Sequence, residues 1–310
     1  MNNNKLKAVI AISLLVTLIA TMSGCKKKDE EVVILDDSSK NSSSSESQKP
    51  PESSSTPVAP SKADSSTSTP STPPSTKPTS TSSVDFSRDG FSLKGKFTNA
   101  ILPETADAGE DYINKIVFVG DSTTYGLKAY KMIKNTNNVW TPKSGTIMLT
   151  EANTSAGKIV YTDKNGSESE MMIKDAAALS KPEYMVLTLG TNGISMYIDK
   201  NTDYYVSEYE KLINSIKEAS PNTKIIIQTA FPICSYYKNI DTISNERVNK
   251  ANYLFADLAQ RIGVKFLDTA TVLKNDKGYM ENSICNGDGI HLNEEGFKLE
   301  LDYIRTHAYK

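Results

Sequence analysis

The sequence has few of the residues that metal chemistry and nucleic-acid binding need. It contains two histidines and three cysteines among 310 residues, and the cysteines are too few and too far apart for a zinc site. Its formal net charge is -2, so the bulk electrostatics give no reason to expect nucleic acid. A glycine-rich phosphate loop after the first predicted strand is also missing, which argues against a nucleotide-binding module. We therefore expect an activity without a metal or a cofactor, and no nucleic-acid partner.

The sequence also lacks an apolar run of the length that spans a bilayer. The run near the N-terminus, residues 8–20, is broken by two hydroxyl residues and is shorter than the about 20 residues of a transmembrane helix. A basic start, this short run and the small residues after it predict a lipoprotein signal segment over residues 1–24. The tetrapeptide Met-Ser-Gly-Cys at residues 22–25 resembles a lipobox, so Cys25 is the predicted site of lipid attachment. Ordinary secretion with an unmodified Cys25 is the alternative.

Residues 25–84 are predicted to be a disordered stalk. From residue 36 to 83 the chain is nearly all Ser, Thr, Pro, Lys, Asp and Glu, and eight of the 13 prolines lie between Pro50 and Pro78. Such a segment cannot bury enough apolar surface to fold, and its prolines keep it extended. A lipid on Cys25 would hold the protein on the outer face of the cytoplasmic membrane, with the stalk reaching into the wall. This arrangement suggests a Gram-positive cell.

Residues 85–310 are predicted to form a single domain, expected to be monomeric, in which strands and helices alternate. Short apolar runs with the character of buried parallel strands span 115–119, 184–189, 224–229 and 263–268. Apolar residues at helical spacing cover 204–219 and 244–262, and Asn293 is placed to cap a last helix over 294–307. The alternation predicts an α/β fold with a parallel sheet covered on both faces, whose ligands bind at the carboxyl ends of the strands. We also expect a short second strand at Val139–Trp140 and a hairpin arm near residues 158–166.

The residues suited to catalysis follow the first strand and precede the last helix. Ser122 ends a Gly-Asp-Ser tripeptide, and a serine hydroxyl needs an adjacent base to act as a nucleophile. Histidine has the pKa for that role; because His307 lies near the C-terminus on the last predicted helix, His291 is the candidate. Asp288, three residues earlier, is placed to accept from the imidazole Nδ1–H. The alternative is that residues 286–289 form a plain turn and His291 merely starts a helix.

Together with two further blocks, these residues resemble the SGNH (GDSL-like) hydrolase family. The family pattern has a Gly-Asp-Ser block after the first strand, a lone glycine, a Gly-x-Asn block and an Asp-x-x-His block near the C-terminus. In this sequence the four elements are residues 120–122, Gly145, residues 190–192 and residues 288–291. The resemblance implies a three-layer α/β/α, flavodoxin-like fold with five parallel strands. It also implies a catalytic triad of Ser122, His291 and Asp288.

The resemblance further implies an oxyanion hole formed by the N–H groups of Ser122 and Gly145 and by the side-chain amide of Asn192. The family's asparagine block commonly continues with Asp, where this sequence has Gly193. A supporting contact is therefore missing or supplied elsewhere. Two other glycines also lie between the blocks, Gly157 and Gly166. Gly145 is preferred because it follows the predicted second strand.

Two cysteines and several aromatic residues lie in loops near these blocks. Cys234 follows a strand, Cys285 precedes Asp288, and paired cysteines in an exported protein tend to form disulfides. We therefore expect a Cys234–Cys285 bond. Four aromatic residues form either a sugar-stacking surface or ordinary core and rim positions: Trp140, Tyr197, Tyr236 and Tyr237.

The leading functional hypothesis is a serine esterase that removes small acyl groups, above all acetyl, from cell-wall or extracellular carbohydrate. An O-acetyltransferase could use the same residues, because an acyl-serine can pass its acyl group to a sugar hydroxyl instead of to water. A surface binding module with an inactive site is the third possibility. That module would be expected to have lost catalytic residues, whereas Ser122, Asn192, Asp288 and His291 are all present.

Overall fold

The computed structural model describes residues 81 and 83–310. The predicted signal segment, the predicted lipid attachment at Cys25 and almost all of the predicted stalk lie outside the described residues. Val84 already packs against the hydrophobic core, so folded packing begins one residue before the predicted boundary at residue 85. Within the part of the chain that the structure describes, no helix combines the length and apolarity needed to cross a membrane.

The described residues contain a five-stranded parallel sheet and a separate hairpin. The strands are β1 Ile116–Gly120, β2 Val139–Trp140, β3 Lys158–Thr162, β4 Glu168–Met172, β5 Tyr184–Thr188, β6 Lys224–Gln228 and β7 Lys265–Leu267. The large sheet has the order β2-β1-β5-β6-β7, and every neighbouring pair in it runs parallel. The predicted α/β fold with five parallel strands is confirmed. The strand pair β3–β4 is antiparallel and forms the expected hairpin arm.

Helices cover both faces of the sheet. In the described residues they are α1 Gly109–Asn114, α2 Ser122–Ala129, α3 Ile173–Ser180, α4 Ile194–Tyr197, α5 Thr202–Ala219, α6 Asn245–Ile262, α7 Ala270–Leu273 and α8 Glu294–Thr306. Alternate strand residues face opposite layers, as the two-residue period of a strand requires. Val117 and Met185 join the core formed with α3, α5 and α6, whereas Phe118 and Val186 join the core formed with α1, α2 and α8.

The ends of the helices follow local signals in the sequence. Asn293 caps α8 by accepting hydrogen bonds from the N–H groups of Glu295 and Gly296. Gly263 ends α6 with φ of 68°, a left-handed conformation that glycine adopts without a steric penalty. These two caps fix where α6 ends and where α8 begins, and thereby bound the segment between them, which contains Asp288 and His291.

Candidate active site

A tight strand-to-helix turn places Ser122 at the carboxyl end of β1. Strand β1 ends at Gly120, Asp121 caps α2 by accepting from the Thr123 N–H at 2.9 Å, and Ser122 is the first residue of the helix. Only glycine fits position 120, because a Cβ there would lie 2.0 Å from Thr124 Oγ1. The first N–H groups of a helix have no acceptor within the helix. The Ser122 N–H is therefore not used by α2 itself.

The loop before α8 folds around the carboxylate of Asp288. Asp288 Oδ1 accepts from the backbone N–H groups of Ile290 at 2.9 Å and His291 at 3.0 Å. Gly287 and Gly289 flank this residue with φ of 106° and 95°, values that L side chains rarely adopt. The glycines thus permit a turn in which one carboxylate oxygen is bound by the backbone, while the other stays available to the imidazole.

The side chains of Ser122, His291 and Asp288 form a continuous chain of hydrogen bonds. His291 Nε2 lies 2.8 Å from Ser122 Oγ, and His291 Nδ1 lies 2.6 Å from Asp288 Oδ2. With the proton on Nδ1, the imidazole donates to Asp288 and leaves Nε2 free to accept from the serine hydroxyl. Ser122 and His291 are 169 positions apart in the sequence, and the fold brings them together with Asp288.

The charges along this chain favour an ionised Asp288 and an easily protonated His291. Burial acts to raise the pKa of Asp288, but the hydrogen bond and charge of His291, with the two backbone N–H donors, lower it to about 2. Burial likewise acts to lower the pKa of His291. The hydrogen bond and charge of Asp288 outweigh it, with help from Asp121 and Cys285, and hold the pKa of His291 above 6.5. The interaction that causes both shifts, between ionised Asp288 and protonated His291, stabilises an imidazolium next to the serine.

Asn192 lies beside Ser122 through a contact with Asp121. Asn192 Nδ2 donates to Asp121 Oδ2 at 2.8 Å, and a primary amide has a second N–H that this bond leaves free. Gly190 and Gly193 flank the residue with φ of 116° and 84°. The carbonyl of Gly190 is bound by the hydroxyl of Tyr205. These contacts orient the Asn192 amide from both sides of the loop.

Asp121 is a functional residue that the sequence analysis did not single out. It is 1% exposed and accepts hydrogen bonds from the N–H and the hydroxyl of Thr123, as well as from Asn192. Burial raises the pKa of Asp121, although these donors and the charge of His291 oppose the shift. Its position between Gly120 and Ser122 was the available signal. Because Gly193 stands where the family commonly has Asp, a supporting contact to Asn192 had to come from elsewhere. Asp121 supplies such a contact.

The structure places the N–H of Gly145, the implied oxyanion donor, in a local turn, so its role stays a prediction. Its N–H donates to the carbonyl of Pro142 at 2.9 Å, closing a turn, so in this structure it is not available to an oxyanion. The two other candidate glycines also use their N–H groups in local turns, Gly157 with Thr154 at 3.0 Å and Gly166 with Asp163 at 3.0 Å. A third oxyanion donor therefore does not come from these glycines in the conformation described.

The expected Cys234–Cys285 disulfide is not formed. Both cysteines are buried free thiols, and they lie close enough for each to affect the pKa of the other. The prediction of a disulfide is therefore wrong, although the two residues are neighbours as expected. The Cys234 thiol, the Tyr236 hydroxyl and the N–H groups of Gly287 and Gly289 together lower the pKa of Cys285 to about 6, although burial opposes them.

The four aromatic residues separate into core and surface. Trp140 is 2% exposed and packs edge-on against Tyr161, so it belongs to the core. Tyr197 stacks on Tyr205 and stays half-buried. Tyr236 is exposed, and Tyr237 borders a cavity. Among the described residues, no cluster of three or more His, Cys, Asp or Glu side chains could hold a metal ion.

The fold and these contacts define a class of protein. The protein has a three-layer α/β/α fold, and at the carboxyl edge of its sheet a serine contacts a histidine that contacts an aspartate. This is the architecture of a serine hydrolase. The model of the GDSL-like Lipase/Acylhydrolase family matches residues 118–299, and the chain belongs to this family. It is a hydrolase of the SGNH type. No curated protein matches the sequence significantly.

Several solved structures are similar to this chain. A Streptococcus pneumoniae protein whose name refers to platelet activating factor is 17% identical to this chain. The match covers 66% of this chain and 93% of that protein, with a TM-score of 0.46. A carbohydrate esterase of family 3 from Talaromyces cellulolyticus is 16% identical, with coverages of 61% and 93% and a TM-score of 0.39. A catalytic mutant of an acetylxylan esterase from Geobacillus stearothermophilus is 17% identical, with coverages of 67% and 97% and a TM-score of 0.36.

Proposed function

We propose that the protein is a serine esterase whose triad is Ser122, His291 and Asp288. The observation that carries this proposal is the pair of short contacts made by His291, 2.8 Å to Ser122 Oγ and 2.6 Å to Asp288 Oδ2. These are distances at which a proton passes directly from a hydroxyl to a base. Family membership supports the reaction type, because the matched family is one of lipases and acylhydrolases.

The proposed reaction proceeds in two halves. Ser122 Oγ attacks the ester carbonyl while its proton moves to His291 Nε2, and the resulting imidazolium is stabilised by ionised Asp288. The imidazolium then gives that proton to the departing alcohol, which leaves an acyl-serine. Water attacks the acyl-serine with His291 again taking a proton, and the acid is released as Ser122 recovers its hydrogen. Each proton that His291 accepts is returned in the same half-reaction, so the site needs no other acid or base.

The oxyanion that forms in each half would be stabilised by Asn192 and Ser122. Asp121 connects the two donors, because it binds the Asn192 amide directly and caps the helix that Ser122 begins. Donors fixed in this way stabilise charge that develops in the transition state. Asp121 is then a positioning residue, because it acts through Asn192 and not on the substrate.

The proposed substrate is a small acyl ester, such as an acetyl ester, on a carbohydrate. A long acyl chain needs a continuous apolar wall, whereas the exposed aliphatic side chains Leu179, Met196 and Ile240 lie on three different elements. The sequence of the leader and stalk supports a further part of the proposal. We propose that Cys25 carries a lipid and that the protein works at the cell surface, where polysaccharides are the accessible ester substrates.

The test is hydrolysis of 4-nitrophenyl acetate, butyrate and octanoate by the purified protein and by Ser122→Ala. We expect wild type to prefer acetate, and we expect Ser122→Ala to lose activity by at least about 10⁴-fold with an unchanged circular dichroism spectrum. Near wild-type turnover by Ser122→Ala would show that the serine is not the nucleophile. Faster cleavage of octanoate than of acetate would instead favour a lipase-like role.

A further inference from the structure

The carboxyl-end side of the sheet also contains a cavity of 680 Å³. Its walls come from Asp199 in the segment after α4, from the segment between β6 and α6, from the first turns of α6, and from Arg88 and Tyr279. The volume lies within the about 300–1,000 Å³ of typical ligand sites. None of its lining residues belongs to the triad, so the cavity is a separate feature.

Two walls of the cavity are continuous with the loops that carry the catalytic candidates. Asp199 follows Asn192 in the same loop-and-helix segment. Tyr237 packs on Gly289, because a Cβ built at Gly289 would come within 2.9 Å of the Tyr237 Cβ. The backbone N–H of Cys234 also donates to the Gly289 carbonyl at 2.8 Å. Gly289 is two residues before His291, so the cavity adjoins the site from the side of the histidine loop.

The lining combines two tyrosines with charged groups of both signs. Tyr237 and Tyr279 border the space, and the Arg88 guanidinium lies over the Tyr279 ring, 4.2 Å from its centroid. Asp199 is bound by Arg247 at 2.8 Å and by Lys250 at 3.6 Å. Lys238, Asp241 and Glu246 add further charges of both signs to the lining. Together these groups offer several hydrogen-bond donors and acceptors to a ligand.

We infer that this cavity binds the sugar chain of the substrate, a neutral oligosaccharide whose ester group reaches Ser122. The inference rests on the proposed function, since it assigns a binding site to the part of the ester substrate that does not react. The Tyr237 ring and the face of Tyr279 that Arg88 leaves uncovered give apolar surface for sugar rings, and the polar side chains of the lining match sugar hydroxyls. A strongly anionic chain would have to displace Asp199 from its two cations, and an acyl chain would have to desolvate all of them.

The experiment compares partially O-acetylated cello-oligosaccharides of one to five glucose units with 4-nitrophenyl acetate as substrates. For wild type, KM should fall as the sugar chain lengthens. Tyr279→Ala should raise KM for the pentasaccharide about three- to tenfold, by loss of one aromatic contact, and should leave kcat/KM for 4-nitrophenyl acetate unchanged. The rim variant Ile240→Ala, at an exposed position, should raise the same KM by a smaller factor.

The matched control is Tyr309→Ala. Tyr309 packs beside Tyr184 at the start of β5, on the opposite edge of the sheet, so its loss should leave the KM for every substrate unchanged. A KM that does not vary with chain length, or an equal effect of Tyr279→Ala and Tyr309→Ala, would overturn the inference. Either result is compatible with an active esterase. Failure of the proposed function would show differently, as full activity in Ser122→Ala on both kinds of substrate.

Discussion

Asp121 and Asp288 lie on either side of the reacting groups, and the protein holds the two carboxyl groups in opposite ways. Asp288 is partly exposed and accepts from the imidazole of His291 and from two backbone N–H groups. These contacts lower its pKa to about 2. Asp121 also accepts three hydrogen bonds, but it is completely buried, and its pKa is raised.

Because the number of hydrogen bonds is the same, the difference lies in the depth of burial and in the partners. The partner of Asp288 becomes a cation during the proposed reaction, whereas Asp121 is bound by the neutral groups of Thr123 and Asn192. Neutral donors offset burial incompletely, and a direct ionic partner more than offsets it. Asp288 is thus suited to stabilising a charge that appears on His291, and Asp121 is suited to holding an amide in place.

The largest expected effect is the difference in kcat between variants in which one or the other carboxylate is replaced. Asp288→Asn should reduce kcat by about 10⁴-fold, because the amide cannot stabilise the imidazolium and favours the wrong imidazole tautomer. Asp121→Asn should reduce kcat by only about tenfold. Steady-state kinetics with 4-nitrophenyl acetate measures both, and Asp163→Asn, which removes a similar turn-forming carboxylate in the hairpin, serves as the control. Equal losses at 121 and 288 would contradict the separate roles.

A second experiment asks whether Asp121 acts through Asn192. Asn192→Ala should lower kcat by about 10²–10³-fold with little change in KM, as expected for a donor to the transition state. If Asp121 only positions the amide, the double variant of Asp121→Asn and Asn192→Ala should be no worse than Asn192→Ala alone. Multiplied losses in the double variant would mean that Asp121 acts on His291 or the substrate directly.

The pH dependence gives a third test of the comparison. Only neutral His291 can accept the serine proton, and its pKa is raised above 6.5. The value of kcat/KM should therefore rise with pH through a midpoint above 6.5, falling about tenfold per pH unit well below it. In Asp288→Asn the hydrogen bond and charge that raise this pKa are lost, so the midpoint should fall.

Nuclear magnetic resonance can follow the same titration independently of turnover. The chain has two histidines, so the ring signals of His291 and His307 are easily told apart, and His307 serves as the reference. A His291 pKa that does not change in Asp288→Asn would show that the carboxylate is not its main electrostatic partner.

The smallest expected effect extends the comparison to a third carboxyl group, the buried Glu300. Its Oε1 accepts from Gln228 Nε2 at 2.8 Å, and its Oε2 has no hydrogen-bond partner among the described residues. Burial raises the pKa of Glu300 from 4.5 to about 7. The folded state thus retains a proton that the unfolded chain releases. Stability should decrease as pH rises from about 4.5 to 7 and stay lower above that range.

Glu300→Gln removes this ionisation. The melting temperature of the variant minus that of wild type should therefore grow by about several degrees from pH 5 to pH 8. Thermal unfolding followed by circular dichroism measures the difference. Glu295→Gln, an exposed position on the same helix, should show no such pH dependence. A Glu300→Gln difference that is constant from pH 5 to pH 8 would mean that Glu300 does not titrate in this range.

The sequence predicted the fold because its signals are local. Strands such as residues 184–188 are continuous apolar runs, and Gly263 and Asn293 end and begin helices through their own backbone and side-chain chemistry. The candidates Ser122, Asp288 and His291 could be proposed from their order along the chain. Asp288 and His291 in particular are three residues apart and form their contacts within one loop.

The structure differs from these expectations in contacts that depend on tertiary distance or on the direction of a single N–H group. The sequence placed Cys234 and Cys285 near each other but could not show that they stay free thiols. It also could not show that the Gly145 N–H turns back to Pro142, because φ at a glycine is not limited by a side chain.

The sequence by itself determined the α/β class, the positions of the strands and helices, and the residues available for acyl transfer. Only the tertiary structure decided how those residues are supported. The contact between Asp121 and Asn192 joins positions 71 residues apart, and the cavity beside Tyr237 combines segments from residue 86 to residue 279. The physical reason is that periodicity and capping act over a few residues, whereas hydrogen-bond partners across the sheet depend on the packing of the whole domain.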